Sequence, residues 1–233
     1  MNRVLAAARL HLIHPLVIFG VPWLVGGVAF AINWALWATA GLDEASDGDA
    51  FTGGVSSLYI TVAVAFVQAV TQLLPYAMGI SVSRRTFYLA TALVAVAQAL
   101  AFGIALATLT ALEEATGGWG AGLEFWAPAA MNVDSFALQV LLSGAPMLTL
   151  MFIGIGMGVV YKRWGQPGVW GLILGTLVVV GGLAVLVTGL EAWGSLAQWL
   201  GEQSVTTLAA GLPLLLTVAV AGLSWLGLRR VVP

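Results

Sequence analysis

Six long stretches of the chain contain no Asp, Glu, Lys or Arg: 10–42, 50–83, 86–112, 135–161, 164–190 and 203–228. Each is apolar for at least the roughly 20 residues that a helix needs to cross a ~30 Å hydrocarbon core. The pattern predicts an all-α, polytopic membrane protein with six transmembrane helices at about 16–40, 58–79, 87–112, 137–161, 169–190 and 205–228. The whole chain, 1–233, then forms one transmembrane domain. Its longest connections, 41–57, 111–136 and 191–206, are too short for a separate globular domain of ~50 residues or more.

Charge turns this count into a topology. Arg3, Arg9, Arg84, Arg85, Lys162, Arg163, Arg229 and Arg230 fall in one alternating set of connections. Asp43, Glu44, Asp47, Asp49, Glu113, Glu114, Glu124, Asp134, Glu191 and Glu202 fall in the other. Basic residues mark the cytoplasmic side because their translocation is disfavoured, so both termini are expected on the cytoplasmic side of the cytoplasmic (inner) membrane. An even number of crossings requires the same. The net charge of -2 averages two oppositely charged faces and says little alone. A hydrophobic fraction of 61%, a charged fraction of 8% and a mean hydropathy of +1.02 lie far from the soluble average of about 25% charged residues. With no Cys there is neither a disulfide framework nor a thiolate metal site.

Around the spans, residues 1–15 read as an interfacial elbow holding Arg3, Arg9 and two histidines ahead of Pro15. Pro22 and the Gly26–Gly27 pair suggest a kink in the first span. Segment 191–204 is amphipathic, aromatic and too short to cross, and reads as a re-entrant or surface helix on the outer face. Gly171 with Gly175, and Gly154 with Gly158, have the four-residue spacing that lets helix backbones approach closely.

Little in the chain suggests catalysis. The only lysine, Lys162, precedes Arg163, so no phosphate-binding P-loop exists. Glu113 and Glu114 lie at the opposite end of the membrane from His11 and His14, which argues against a protease that would combine acids with histidines. His11 and His14 share a helical face but lack the further ligands of a metal site. No catalytic, cofactor-binding or metal-binding residue is assigned. Asn33, Gln68, Gln72, Gln98 and Gln139 are the polar residues inside the spans, with no charge at mid-depth to carry a coupled ion. Gln68 and Gln72 share a face and are candidates to line a polar strip along a substrate cleft.

The connection between the second and third spans carries the strongest motif, Tyr76-Ala77-Met78-Gly79-Ile80-Ser81-Val82-Ser83-Arg84-Arg85-Thr86-Phe87. Gly79 is suited to end one helix, and Ser81 or Ser83 to cap the next. This segment resembles the corresponding loop of bacterial ABC exporter permeases of the type-2, six-helix class, in which a Gly, a Ser/Thr/Val stretch, an Arg-Arg pair and an aromatic recur. The elbow, the six-helix layout and the outer helix before the last span are similar too, as is the second inner loop, 161–168, to the small subclass. The resemblance implies that Gly79, Ser81, Ser83, Arg84, Arg85 and Phe87 form a coupling helix docked on a separate P-loop ATPase, with Phe87 supplying an apolar contact. It also implies a second permease copy or homologue, ATP and Mg on the partner subunit, membrane lipid but no nucleic acid as further surroundings, and export of an amphiphilic or hydrophobic cargo. A stand-alone membrane immunity or stress protein and a secondary transporter or channel remain alternatives.

Overall fold

In hydrocarbon every peptide N–H and C=O must find a partner within its own segment, which restricts single apolar spans to helix. The computed structural model describes residues 3–13, 15–40, 53–127 and 131–231, and among these there are helices and no strand. α1 (Arg3–Ala8) runs through a 3-10 turn, Arg9–Leu12, toward α2 (Val21–Ala40). α3 (Ser56–Gln68) and the short α4 (Leu74–Gly79) form one rod, followed by α5 (Arg84–Ala115) and α6 (Phe136–Gly189). α7 (Trp193–Glu202) and α8 (Leu212–Leu228) complete the chain. At ~1.5 Å per residue α7 is about 15 Å long, half a bilayer, as expected for a helix that does not cross.

Among the described residues five helical units are long and apolar enough to cross a membrane: Leu16–Thr39, Gly53–Gly79, Arg84–Ala115, Phe136–Gly189 and Thr207–Leu228. The fourth differs from expectation. The inner loop anticipated at 161–168 is helical, so the fourth and fifth predicted spans are continuous through 54 residues. At ~1.5 Å per residue α6 is about 80 Å long, more than twice the hydrocarbon thickness. Its backbone leaves helical geometry once, at Gly165 (φ 67°, ψ −157°), a conformation that only the absence of a Cβ makes cheap. The expected loop is thus reduced to a single glycine joining two helical rods.

Three of the crossing units contain a widened, π-type turn, and all three turns end two residues before a proline. Leu16–Gly20 precedes Pro22, Ala69–Leu73 precedes Pro75, and Thr207–Gly211 precedes Pro213. Proline removes an N–H and its ring collides with the carbonyl four residues back; widening the preceding turn makes room. At Pro22 the orphaned group is the Ile18 carbonyl, and the Gln98 side chain, buried on α5, donates Nε2 to it at 2.9 Å. The widened turn before Pro22 therefore comes with its own cross-helix hydrogen bond.

The core lies where α3, α5, the first rod of α6 and α8 meet. Leu58, Val62, Phe66, Val70 and Leu74 recur every four residues along α3 and its continuation, facing Phe102 and Leu106 of α5 and Met147, Met151 and Ile155 of α6. Between helices in lipid the hydrophobic effect adds little, and close van der Waals approach takes its place. Gly154 and Gly158 provide that approach: a Cβ on Gly154 would overlap the Ala63 carbonyl oxygen, and one on Gly158 would come within 2.7 Å of the Val70 Cβ. A third crossing has no such spacing in the sequence. Gly103 of α5 meets Gly144 of α6, and a Cβ on Gly103 would lie 2.7 Å from the Val140 carbonyl oxygen. Gly171 and Gly175, expected to play the same part, meet nothing within 4 Å, because residues 170–183 of the second rod are all exposed.

Gly154→Leu and Gly158→Leu are therefore expected to lower stability by roughly 1–3 kcal/mol or more through overpacking, whereas Gly171→Leu and Gly175→Leu leave it unchanged. Thermal unfolding of the four variants in one detergent separates the two pairs, and equal effects would contradict this assignment of contact faces.

Candidate functional site

The turn between α4 and α5 is closed by the backbone itself. Val82 N–H donates to the Ala77 carbonyl at 2.9 Å and Ser81 N–H to that of Met78 at 3.0 Å, the paired bonds of a Schellman motif. The left-handed position that this motif needs is filled by Ser81 (φ 64°), while Gly79 is the last residue of α4. The helix stop expected at Gly79 is thus carried by a residue two positions later, at a conformational cost that glycine would not incur. Ser83 does cap the next helix: its Oγ accepts from Thr86 N–H at 3.2 Å. Segment 79–87 consequently forms no helix of its own. It is one helix end, a tight turn and the first turn of α5.

The six residues of the motif are split between surface and core. Gly79, Ser81, Ser83 and Arg85 are exposed, and Arg84 is half-buried, donating Nη1 to the Arg229 carbonyl at 3.5 Å. Phe87 is 1% exposed, and its ring stacks on His11 at 5.9 Å between centroids. The expectation that Phe87 offers an apolar surface contact is corrected by this geometry: in a helix that starts at Arg84, position 87 turns toward the bundle while 85 turns away. Its neighbour Tyr88 donates to the Ala221 carbonyl of α8 at 2.6 Å. The elbow, the start of α5 and the end of α8 are thereby tied together at one end of the bundle.

His11 is part of the same knot. Its Nε2 lies 3.1 Å from Thr91 Oγ1, it is 1% exposed, and burial pushes its imidazole down to about 4. The interfacial histidine expected from the sequence is a core residue that docks the elbow on α5. Its companion His14 lies outside the described residues, as do Asp43, Glu44, Asp47 and Asp49. Among the described residues no group of three or more His, Cys, Asp or Glu is placed to hold a metal.

Gln68 and Gln72 come together as expected, but in a shallow pocket of about 70 Å³ between α3, its continuation and the elbow, with His11 in its lining. Both amides are exposed on the outside of the bundle. The polar strip therefore faces away from the core of this chain.

The opposite end of α5 contains a site that sequence reasoning passed over. Glu113 is buried, and its carboxylate accepts from the N–H groups of Phe125 and Trp126 at 3.1 and 3.3 Å and from Trp119 Nε1 at 3.1 Å. An ionised or neutral carboxyl so placed satisfies backbone donors that the irregular segment 118–127 cannot satisfy itself. Trp34 of α2 donates Nε1 to the Trp119 carbonyl at 3.2 Å, and Phe30 packs on Trp119, Phe125 and Trp126. That aromatic rings wrap one of two adjacent glutamates was not legible, because nothing in the residues Glu113-Glu114 distinguishes the inward member. α5, about 48 Å long at ~1.5 Å per residue, thus joins a basic turn at one end to an acid-latched aromatic cap at the other.

No protein-family model, curated protein or solved structure matches this chain.

Two outcomes follow for the basic end. Ser83→Ala is expected to cost about 1 kcal/mol through loss of the cap, and Ser81→Gly to stabilise by up to roughly 1 kcal/mol by relieving the left-handed serine. Chemical or thermal unfolding of the two variants tests both signs. For His11, the unfolded chain takes up a proton near pH 6.5 that the folded chain refuses until about 4. Stability is then complete above pH 6.5 and declines as pH falls through that window. Wild type is expected to lose more thermal stability across it than His11→Leu, and parallel pH profiles would contradict the burial of a neutral imidazole.

Proposed function

We propose that this chain is the permease subunit of an ATP-driven ABC exporter in the cytoplasmic membrane, moving an amphiphilic or hydrophobic cargo. It crosses the membrane six times with both ends inside, works with a second permease copy or homologue, and hydrolyses no ATP itself. Hydrolysis, with Mg, belongs to separate P-loop ATPase subunits at the inner face. The six-span count is supported by the break at Gly165, which lets 54 helical residues return as two rods. The sidedness is supported by the basic sequence clusters, including Arg84 and Arg229 brought into contact.

The observation that carries the reading is the construction of the turn at 79–85. It is closed by two backbone bonds, capped by Ser83, exposes Arg85, and is bonded through Arg84 to the end of α8. A load applied at Arg85 therefore reaches α5 and α8 together without first being absorbed by a flexible loop. Because no separate coupling helix precedes it, transmission runs through the helix starts themselves.

The test uses arginine geometry. A lysine keeps the charge and the topology but lacks the planar fork that pairs with a carboxylate through two parallel bonds. Arg85→Lys, alone and with Arg84→Lys, is expected to insert normally and to weaken association with a co-purified P-loop ATPase by about tenfold, as for loss of one charged hydrogen bond. Unchanged ATPase association and cargo-stimulated hydrolysis in both variants would reject the turn as the transmission site. Phe87→Ala does not serve this purpose, because emptying a buried site costs roughly 3–5 kcal/mol of stability by itself.

A further inference from the structure

Beyond Gly165 the second rod of α6 departs from the bundle and leaves a cleft of about 1,160 Å³ between the two rods and α8. Met157, Val160, Leu172, Leu216 and Val220 contribute to apolar walls, while Arg163, Arg229 and Arg230 are the basic residues of the lining, with the Arg163 guanidinium 4.2 Å from the centre of the Trp164 ring. Among the described residues no acidic one lines the cleft. Ser224, 4% exposed, also belongs to its lining, and its Oγ has no hydrogen-bond partner among the described residues. The volume is at or above the roughly 300–1,000 Å³ typical of sites for small organic ligands.

We propose that this cleft seats an anionic phospholipid drawn from the surrounding bilayer, its phosphate held by Arg163, Arg229 and Arg230 and its acyl chains along the apolar walls. Three like charges around one opening repel one another and call for an anion, and planar guanidinium groups match phosphate oxygens through paired hydrogen bonds. Basic pockets between transmembrane helices select anionic headgroups on the same grounds. A second copy of the chain in the same orientation fits less well. All ten acidic residues of the sequence lie in the other set of connections, so a parallel copy brings no Asp or Glu side chain to this end. A soluble partner could meet the arginines but not fill walls of Leu, Val and Met. The inference goes beyond the exporter reading and does not need an ATPase, so it is tested on the purified chain alone.

Native mass spectrometry of the detergent-solubilised chain, equilibrated with phosphatidylglycerol or with phosphatidylcholine of the same acyl chains, provides the measurement. Wild type is expected to retain one phosphatidylglycerol with a preference of about tenfold or more over phosphatidylcholine, the effect of a single charged hydrogen bond or better. R163Q/R229Q/R230Q is expected to abolish that preference, while R3Q/R9Q/R85Q, with the same loss of charge outside the cleft, retains it. Leu172→Trp, which fills the apolar wall without altering charge, is expected to reduce retention of the lipid. Excess inorganic phosphate is expected not to displace it, since the acyl chains contribute to binding. Equal retention of the two lipids by wild type would overturn the proposal even if the arginine variant fails to fold. Equal loss in the two arginine variants, or complete displacement by phosphate, would overturn it as well.

Discussion

Helix assembly in this protein depends on how closely backbones approach one another. Lipid tails are as apolar as leucine, so a side chain gains little by exchanging one for the other, and what remains is contact. Gly103 against Gly144, Gly154 against α3 and Gly158 against its continuation are the places where contact is closest. They bring α3 and α5 onto the first rod of α6, and the interleaved Phe66, Phe102, Met147 and Met151 fill the space left between them. The other elements attach to this trio.

The buried side chains of Gln98 and Glu113 repair backbone that proline or irregular geometry has left open. Gln98 answers the Ile18 carbonyl freed by Pro22. Glu113 does the same for a stretch with no helix to supply its own partners. An unsatisfied N–H or C=O is most costly where water is absent, which is why these side chains are buried at the defects. Gln68 and Gln72, exposed on the outer surface of the bundle, have no such defect to serve.

The two ends of the bundle are built differently, and that difference frames the functional proposals. At the acidic end, aromatic rings and a buried carboxylate hold an irregular cap in place. At the basic end, a rigid turn exposes Arg85 while the cleft beside α8 gathers three further arginines. α5 connects the two ends without a break.

Much of this was already determined by residue type and order. Helical class, the positions of the apolar segments, the short α7 and the segregation of charge follow from local composition, because the bilayer imposes length and backbone satisfaction on each segment independently. The contact role of Gly154 and Gly158 and the capping role of Ser83 were legible for the same reason, each being a property of a few consecutive residues. Tertiary structure decided the rest. It joined the fourth and fifth segments through Gly165, turned Phe87 and His11 inward against each other, left Gly171 and Gly175 without a neighbour, and chose Glu113 over Glu114 as the buried acid. Each of these depends on which face of a helix meets another helix, and in apolar segments all faces look alike, so the choice is made only when the backbones come together.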